Sequence, residues 1–341
     1  PREARHPRED REAPGGEGVS ALQTTSVGSM PKPGYLIRAR AKASKGELAS
    51  KELRTLEEKA TTEWVRFQDE IGIDIVVDGE QYRGDMATYF AENLEGMEVS
   101  GLVRSYGNRY YKKPIVVGEL RRTGPISVDW YRFAQKLTDR PVKGMITGPY
   151  TMMDWSFDEH YGSREETAMA FAKLLHQEAR DLEAAGAKII QVDEPALATR
   201  SDELPLIVKA VGAVTKGLNA KTILHTCYGN YFDIYSYFTR LPVDQLDLEM
   251  SNSGLDLLDR FRKDPLRKEI AFGVVDVHSH VVETKAQVVE RIEQALSIFA
   301  PQKLYIDPDC GLKTRTVEEA RGKLEVIIEA TRAVKEEHGL A

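Results

Sequence analysis

Short β-rich runs that end in polar or glycine residues alternate with longer stretches of helical periodicity along most of this chain. The runs are TTSVGS (24–29), IDIVVDGE (73–80), VKGMITGP (142–149), KIIQVDEP (188–195), KTILHTC (221–227), QLDLEMS (245–251), IAFGVVDVHS (270–279) and KLYIDPD (303–309). Between them, SREETAMAFAKLLHQEARDLEAAG (163–186) carries an apolar stripe at i, i+3, i+4 spacing and stops at glycine, and VEEARGKLEVIIEATRAVKEEHG (317–339) is similar. Eight strand–helix alternations predict an α/β protein whose parallel sheet closes into a (β/α)8 TIM barrel. A doubly wound open sheet would need fewer strands and usually a Gly-rich phosphate loop after the first. TTSVGSMPKPG has no such pattern, and there is no Walker-type loop. Residues 98–127 interrupt the alternation after the second strand and read as a hairpin insert. Loops at the C-terminal face of a barrel build active sites, so this insert is a candidate wall or lid.

Composition narrows the class. Of the 341 residues, 41% are hydrophobic and 30% charged, which suits a globular protein able to bury a full core. The formal charge of −7 makes a nucleic-acid partner a poor expectation, because phosphate contacts need a basic face. No apolar run approaches the roughly 18 residues that span a bilayer, and no secretory h-region is present near the start. The expected location is the cytoplasm, with no membrane partner. Residues 1–21 are charged and rich in Pro and Gly and are expected to be a disordered tail. Residues 22–341 are expected to form one barrel domain.

In such a barrel, chemistry collects where strands exit at their C-terminal ends. Those ends carry Ser29, Asp78, Glu80, Thr147, Asp193, Glu194, His225, Cys227, Glu249, Ser251, Asp276, His278, Asp307, Asp309 and Cys310. A purely structural barrel end would not need so many, because each buried carboxylate carries a desolvation cost. Two lone cysteines usually serve as small buried hydrophobes, yet both cysteines of this chain fall at strand exits. Zn²⁺ favours Cys sulfur and His nitrogen, with carboxylate as a harder fourth ligand. The spacing His225-x-Cys227 puts two side chains on one face of a strand. Glu249 ends the next strand and Cys310 ends the last. These four make a candidate zinc site, and they converge only if the barrel closes. A single H-x-C strand, unlike the paired C-x-x-C of structural zinc modules, points to a catalytic metal. Zinc bound by two thiolates suits the activation of an incoming thiol, whose proton metal coordination removes.

The segments TTSVGSMPKP, VVDGEQYRGDMATYF, VKGMITGPYTMMDWSF, IIQVDEPAL, LHTCYGN, DVHS and IDPDCGLKTR closely resemble the catalytic domain of cobalamin-independent methionine synthases. The resemblance covers about residues 22–335. It implies a (β/α)8 barrel with one catalytic zinc that moves a methyl group to the thiol of homocysteine, making methionine. By that resemblance the zinc ligands fall on His225, Cys227, Glu249 and Cys310. The homocysteine carboxylate falls to Val27, Gly28 and Ser29, its amino group to Glu80 and Asp193, and proton donation to His278. Asp276 or a backbone carbonyl is expected to set the tautomer of that histidine. On the methyl-donor side the matching positions are Arg109, Tyr110 and Trp155.

The donor side departs from the family pattern. Full-length members carry a second, N-terminal barrel that helps bind a polyglutamyl folate, and only the short tail precedes the first strand here. An acid that contacts the pterin in the family is matched by Thr199. A methylated corrinoid (methylcobalamin, or a corrinoid on a partner protein) rather than methyltetrahydrofolate is therefore the expected donor. The rival activity is a related zinc thiol alkyltransferase, such as one joining coenzyme M to an epoxide. Retention of Glu80 and Asp193 argues against it, since a sulfonate thiol has no ammonium to bind.

Overall fold

The computed structural model describes residues 20–104, 110–227, 229, 231–251 and 256–340. The tail expected at 1–21 lies almost wholly outside the described residues. The chain divides into two compact units. One comprises Arg83–Asp129 and Gly144–Asp244, and the other comprises residues 20–82, 130–143 and 245–340.

In the first unit the strands Gly144–Thr147, Ile189–Asp193 and Lys221–Thr226 are parallel neighbours. Their register sets Thr147 beside Asp193 and Asp193 beside His225. Three strand exits therefore lie side by side in one row. The helix Arg164–Ala184 starts where the Ser163 side chain accepts the Glu166 N–H at 3.2 Å. It buries Phe171, Leu175 and Leu182, each of which contributes about 1.5–3 kcal/mol when removed from water.

The second unit holds the parallel series Gln23–Thr24, Leu304–Asp307, Glu269–Gly273 and Gln245–Leu248. Its long helices Ser50–Ile71, Lys285–Leu296 and Val317–Glu337 have recognisable ends. Thr284 and Thr316 close capping boxes with Gln287 and Glu319, and Gly72 ends the first helix in the left-handed conformation at φ 90°.

The run expected as strand 73–80 is shorter than its sequence suggests. It pairs through Ile75 N to Thr24 O at 3.0 Å and through a parallel bridge from Val76 to Val142. Pairing stops at Val77 because the fully buried Gln68 amide takes both backbone groups, donating to Val77 O at 2.8 Å and accepting from Val77 N at 3.0 Å. The insert is an antiparallel hairpin of Leu94–Arg104 and Tyr110–Arg122, so it begins earlier and ends earlier than the expected 98–127. A two-residue strand, Phe157–Asp158, joins it in parallel. At Gly96 (φ 81°) a bulge brings the Glu119 carbonyl within 2.5 Å of where a Cβ would sit, which reserves the position for glycine. Among the described residues no helix is long and apolar enough to cross a membrane.

Candidate active site

The row Thr147–Asp193–His225 is set by strand register, and the residues after it are fixed by hydrogen bonds. Asp193 accepts the Gln191 side-chain amide at 2.7 Å. The Glu194 N–H donates to His225 O at 2.8 Å. The Glu194 carboxylate is fully buried and turns to the opposite side, accepting from Tyr150 N (2.9 Å), Thr151 N (2.8 Å) and Thr151 Oγ1 (2.7 Å). Burial pushes its pKa up to about 7, against the lowering effect of those donors. A Cβ at Gly148 would overlap this carboxylate, so the glycine belongs to the same arrangement. His225 and Cys227 are both buried, and the carbonyl of Thr226 between them accepts the Tyr231 hydroxyl at 2.7 Å.

In the second unit the first strand exit and the last pack against each other. Val27 and Gly28 are buried and Ser29 is half-buried. Leu312 N donates to Ser29 O at 2.7 Å, and a Cβ at Gly311 would overlap Ser29 Oγ. Ser29 thus sits directly against the residue that follows Cys310. Glu80, half-buried, has φ 54°, a left-handed conformation that only Leu22 shares among the described non-glycine residues. Such a conformation needs support from its surroundings. Asp78 supplies part of it by accepting Glu80 N at 2.9 Å and the Tyr82 hydroxyl at 2.8 Å. Lys32 Nζ supplies another part by donating to Glu80 O at 3.2 Å.

The exit that carries Glu249 is tied to the Cys310 loop through Asp309. This fully buried carboxylate accepts from Met250 N at 3.0 Å, from Ser251 N at 2.8 Å and from the Ser251 hydroxyl. Burial pushes its pKa up to about 7. A Cβ at Gly273 would overlap it. Glu249 Oε1 lies 3.4 Å from His278 Nε2. Asp276 Oδ1 accepts the backbone N–H of His278 at 2.7 Å, so it fixes the loop on which the imidazole is carried. The ligand atoms of His225, Cys227 and Cys310 lie within 4.8 Å of one another, a group that could hold a metal ion.

The donor-side positions are more scattered in character. Trp155 is half-buried and ends the short helix Pro149–Asp154. Its neighbour Asp154 is clamped by Arg164 Nη2 at 2.6 Å. The Thr199 hydroxyl donates to Ala196 O at 3.1 Å, within its own 3-10 turn. Tyr110 opens the second strand of the hairpin, and Arg109 lies outside the described residues.

The family model described as "Cobalamin-independent synthase, Catalytic domain" matches residues 22–333. The chain belongs to this family. It is 38% identical to a protein named methionine synthase from Saccharolobus solfataricus, over 93% of this chain and 96% of the relative. It is 37% identical to a 5-methyltetrahydropteroyltriglutamate–homocysteine methyltransferase of Xylella fastidiosa, over 94% of this chain and 44% of that longer relative. The solved structure of a B12-independent methionine synthase from Shewanella sp. W3-18-1, in complex with selenomethionine, matches with a TM-score of 0.84 and 31% identity, over 94% of this chain and 100% of that one. A methyltransferase from Methanosarcina mazei at 14% identity and a TM-score of 0.66 shares the fold. The barrel-type α/β fold expected from the alternation of strands and helices is thus the fold of the family.

Several residues that shape this region were not singled out in the sequence. Glu283 and Lys323 lie outside every motif named above, and Lys32 lies within TTSVGSMPKP without a role read from it. Only Lys323 leaves a trace, as a charged residue in phase with the apolar stripe of its helix at Ala320, Leu324 and Ile327.

Proposed function

We propose that this chain transfers a methyl group to the thiol of L-homocysteine, forming L-methionine, with one zinc held by His225, Cys227, Glu249 and Cys310. The observation that carries the reading is the meeting of both cysteines with His225 inside 4.8 Å. Two thiolates and an imidazole are a donor set suited to zinc. Glu249 adds the carboxylate of the fourth position, on an exit held in place by Asp309. When bound there, zinc would supply the acidity that keeps an incoming thiol as its thiolate near neutral pH.

The chain's own residues bind and orient the acceptor. Glu80 and Asp193 take its ammonium, because a cation leaving water needs opposite charge beside it. The backbone of Val27, Gly28 and Ser29 takes its carboxylate. His278 handles the proton of the transfer: the proton that the thiol releases on becoming a thiolate is returned through its imidazole to a donor nitrogen that loses its methyl group, or passes to water when a corrinoid leaves unprotonated. A Shewanella relative solved with selenomethionine, which pairs an amino-acid head with a methylated chalcogen, fits this assignment. The acid pair at Glu80 and Asp193 has no purpose for a sulfonate thiol, so the coenzyme M type of alkyl transfer is not supported. For the donor we propose a methylated corrinoid, because Thr199 stands where the family has a pterin-contacting acid. Methyltetrahydrofolate is the first rival, in keeping with the family's description as cobalamin-independent.

The test pairs metal analysis with product identification. Purified protein should hold about one zinc per chain and convert homocysteine to methionine, and Cys310→Ser should lose both properties. Full activity in metal-free protein would overturn the zinc assignment, and an alkylated thiol other than methionine would overturn the acceptor.

A further inference from the structure

Lys323 is the one charged residue that the helix Val317–Glu337 buries. Its side chain is fully buried, and an ammonium in that position is strongly disfavoured unless it is paired. It donates to Glu283 Oε2 at 2.8 Å and to Val281 O at 2.6 Å. Glu283 is itself buried, with 8% of its side chain exposed, and its other oxygen accepts Asp276 N at 2.7 Å. Asp276 in turn accepts His278 N at 2.7 Å. Arg291 holds the root of the same loop by donating to Val274 O at 2.6 Å, 3.8 Å from Glu283. Four backbone positions between Val274 and Val281 are therefore gripped by charged side chains, in a segment without helix or strand. At its tip, His278 Nε2 faces Glu249 Oε1 at 3.4 Å.

From this arrangement we infer that Lys323 and Glu283 are positioning residues for His278. They lock the loop so that the imidazole is presented at the Glu249 exit. A loop of this length without internal pairing samples many conformations, and a misplacement of about 1 Å at a reacting group is enough to cost on the order of a hundredfold in rate. An apolar residue at 323 would fill the same space in the helix stripe but would leave Glu283 with only the more distant Arg291 as a cation and Val281 O without its donor. The inference rests on the reading of His278 as the proton donor in homocysteine methylation.

Lys323→Met tests it by two routes. Hydrogen exchange of the backbone amides in 274–283 needs no substrate and should accelerate by at least about tenfold, with the rest of the chain unchanged. In turnover, kcat should fall by about tenfold or more while KM for homocysteine stays within about twofold, and zinc content should hold. The double variant Lys323→Met/Glu283→Gln removes both buried charges. It should recover thermal stability yet keep the low kcat. Unchanged exchange in 274–283 would overturn the anchor, and so would a double variant that regains wild-type kcat together with its stability. If the wild-type protein forms no methionine, the functional reading falls, and the exchange measurement still judges the anchor by itself.

Discussion

Lys32 links a single side chain's energetics to Glu80, a residue proposed to bind the acceptor. Its amine bridges two strand exits by bonding the carbonyl of Glu80, the residue held in a left-handed conformation. Burial, with Arg40 and Lys313 acting in the same direction and Glu80 and Glu57 partly opposing them, lowers its pKa from 10.5 to about 8. The sign of the effect on stability follows from linkage. Below pH 8 both folded and unfolded chains carry the proton, and the folded state bears the cost of the ammonium. Between pH 8 and 10.5 the folded chain releases a proton that the unfolded chain keeps, so this group's cost fades as pH rises. Against Lys32→Met, the wild type should therefore gain about 1 kcal/mol of relative unfolding free energy between pH 7.5 and 10, discounted from the full shift for partial solvent screening. Denaturant titrations of both proteins at the two pH values measure it, and parallel pH dependence would contradict the assignment.

At the scale of elements, the hairpin Leu94–Arg104/Tyr110–Arg122 depends on one carboxylate. Glu178, fully buried on the helix Arg164–Ala184, accepts from Arg122 Nε (2.9 Å) and Nη2 (2.6 Å), Ile126 N (2.9 Å), Ser127 N (2.7 Å) and Ser127 Oγ (2.9 Å). Arg122 is also nearly buried, and its other partner is Asp181 at 2.6 Å. Removing one member of such a pair leaves an uncompensated charge and costs about 3–5 kcal/mol. Glu178→Ala should destabilise the protein by that order and open the hairpin base to limited proteolysis, while Arg122→Met/Glu178→Met should be milder than the single change. Equal protease resistance in Glu178→Ala would show that the hairpin is held elsewhere.

These elements also show how far sequence reasoning reached. The eight strand positions were legible because each pairs a β-rich run with a polar exit. The second was legible in place and not in extent, since its early end depends on the Gln68 amide, nine residues upstream of Val77. Phe157–Asp158 was missed because two exposed residues carry no alternation. The ligand candidates at His225, Cys227 and Cys310 were legible from spacing and strand ends. Asp309 was legible as a polar strand exit and not as the support of Glu249, and Glu283 and Lys323 were not legible at all, because a buried ion pair joins residues 40 apart and leaves no local pattern.

At the scale of the whole molecule, the open matter is the methyl donor. The chain spans 96% of the methionine synthase from Saccharolobus solfataricus but 44% of the methyltetrahydropteroyltriglutamate-using relative from Xylella fastidiosa. The residues proposed for the acceptor, Ser29, Glu80, Asp193 and His278, all lie within the shared length. The donor half keeps Trp155 at the end of a helix clamped by Arg164, while Thr199 spends its hydroxyl on its own turn. An uncharged side chain so engaged offers a pterin no carboxylate to accept its ring N–H groups. Losing a charge-assisted hydrogen bond costs about 1.5–3 kcal/mol, or roughly tenfold to a hundredfold in binding. Offered homocysteine with either methylcobalamin or methyltetrahydrofolate, the protein should therefore turn over the corrinoid more efficiently, and Thr199→Glu should raise kcat/KM for the folate by about tenfold. Wild-type turnover with methyltetrahydrofolate that matches or exceeds turnover with the corrinoid would assign the donor to the pterin and show that the Thr199 position does not govern the choice.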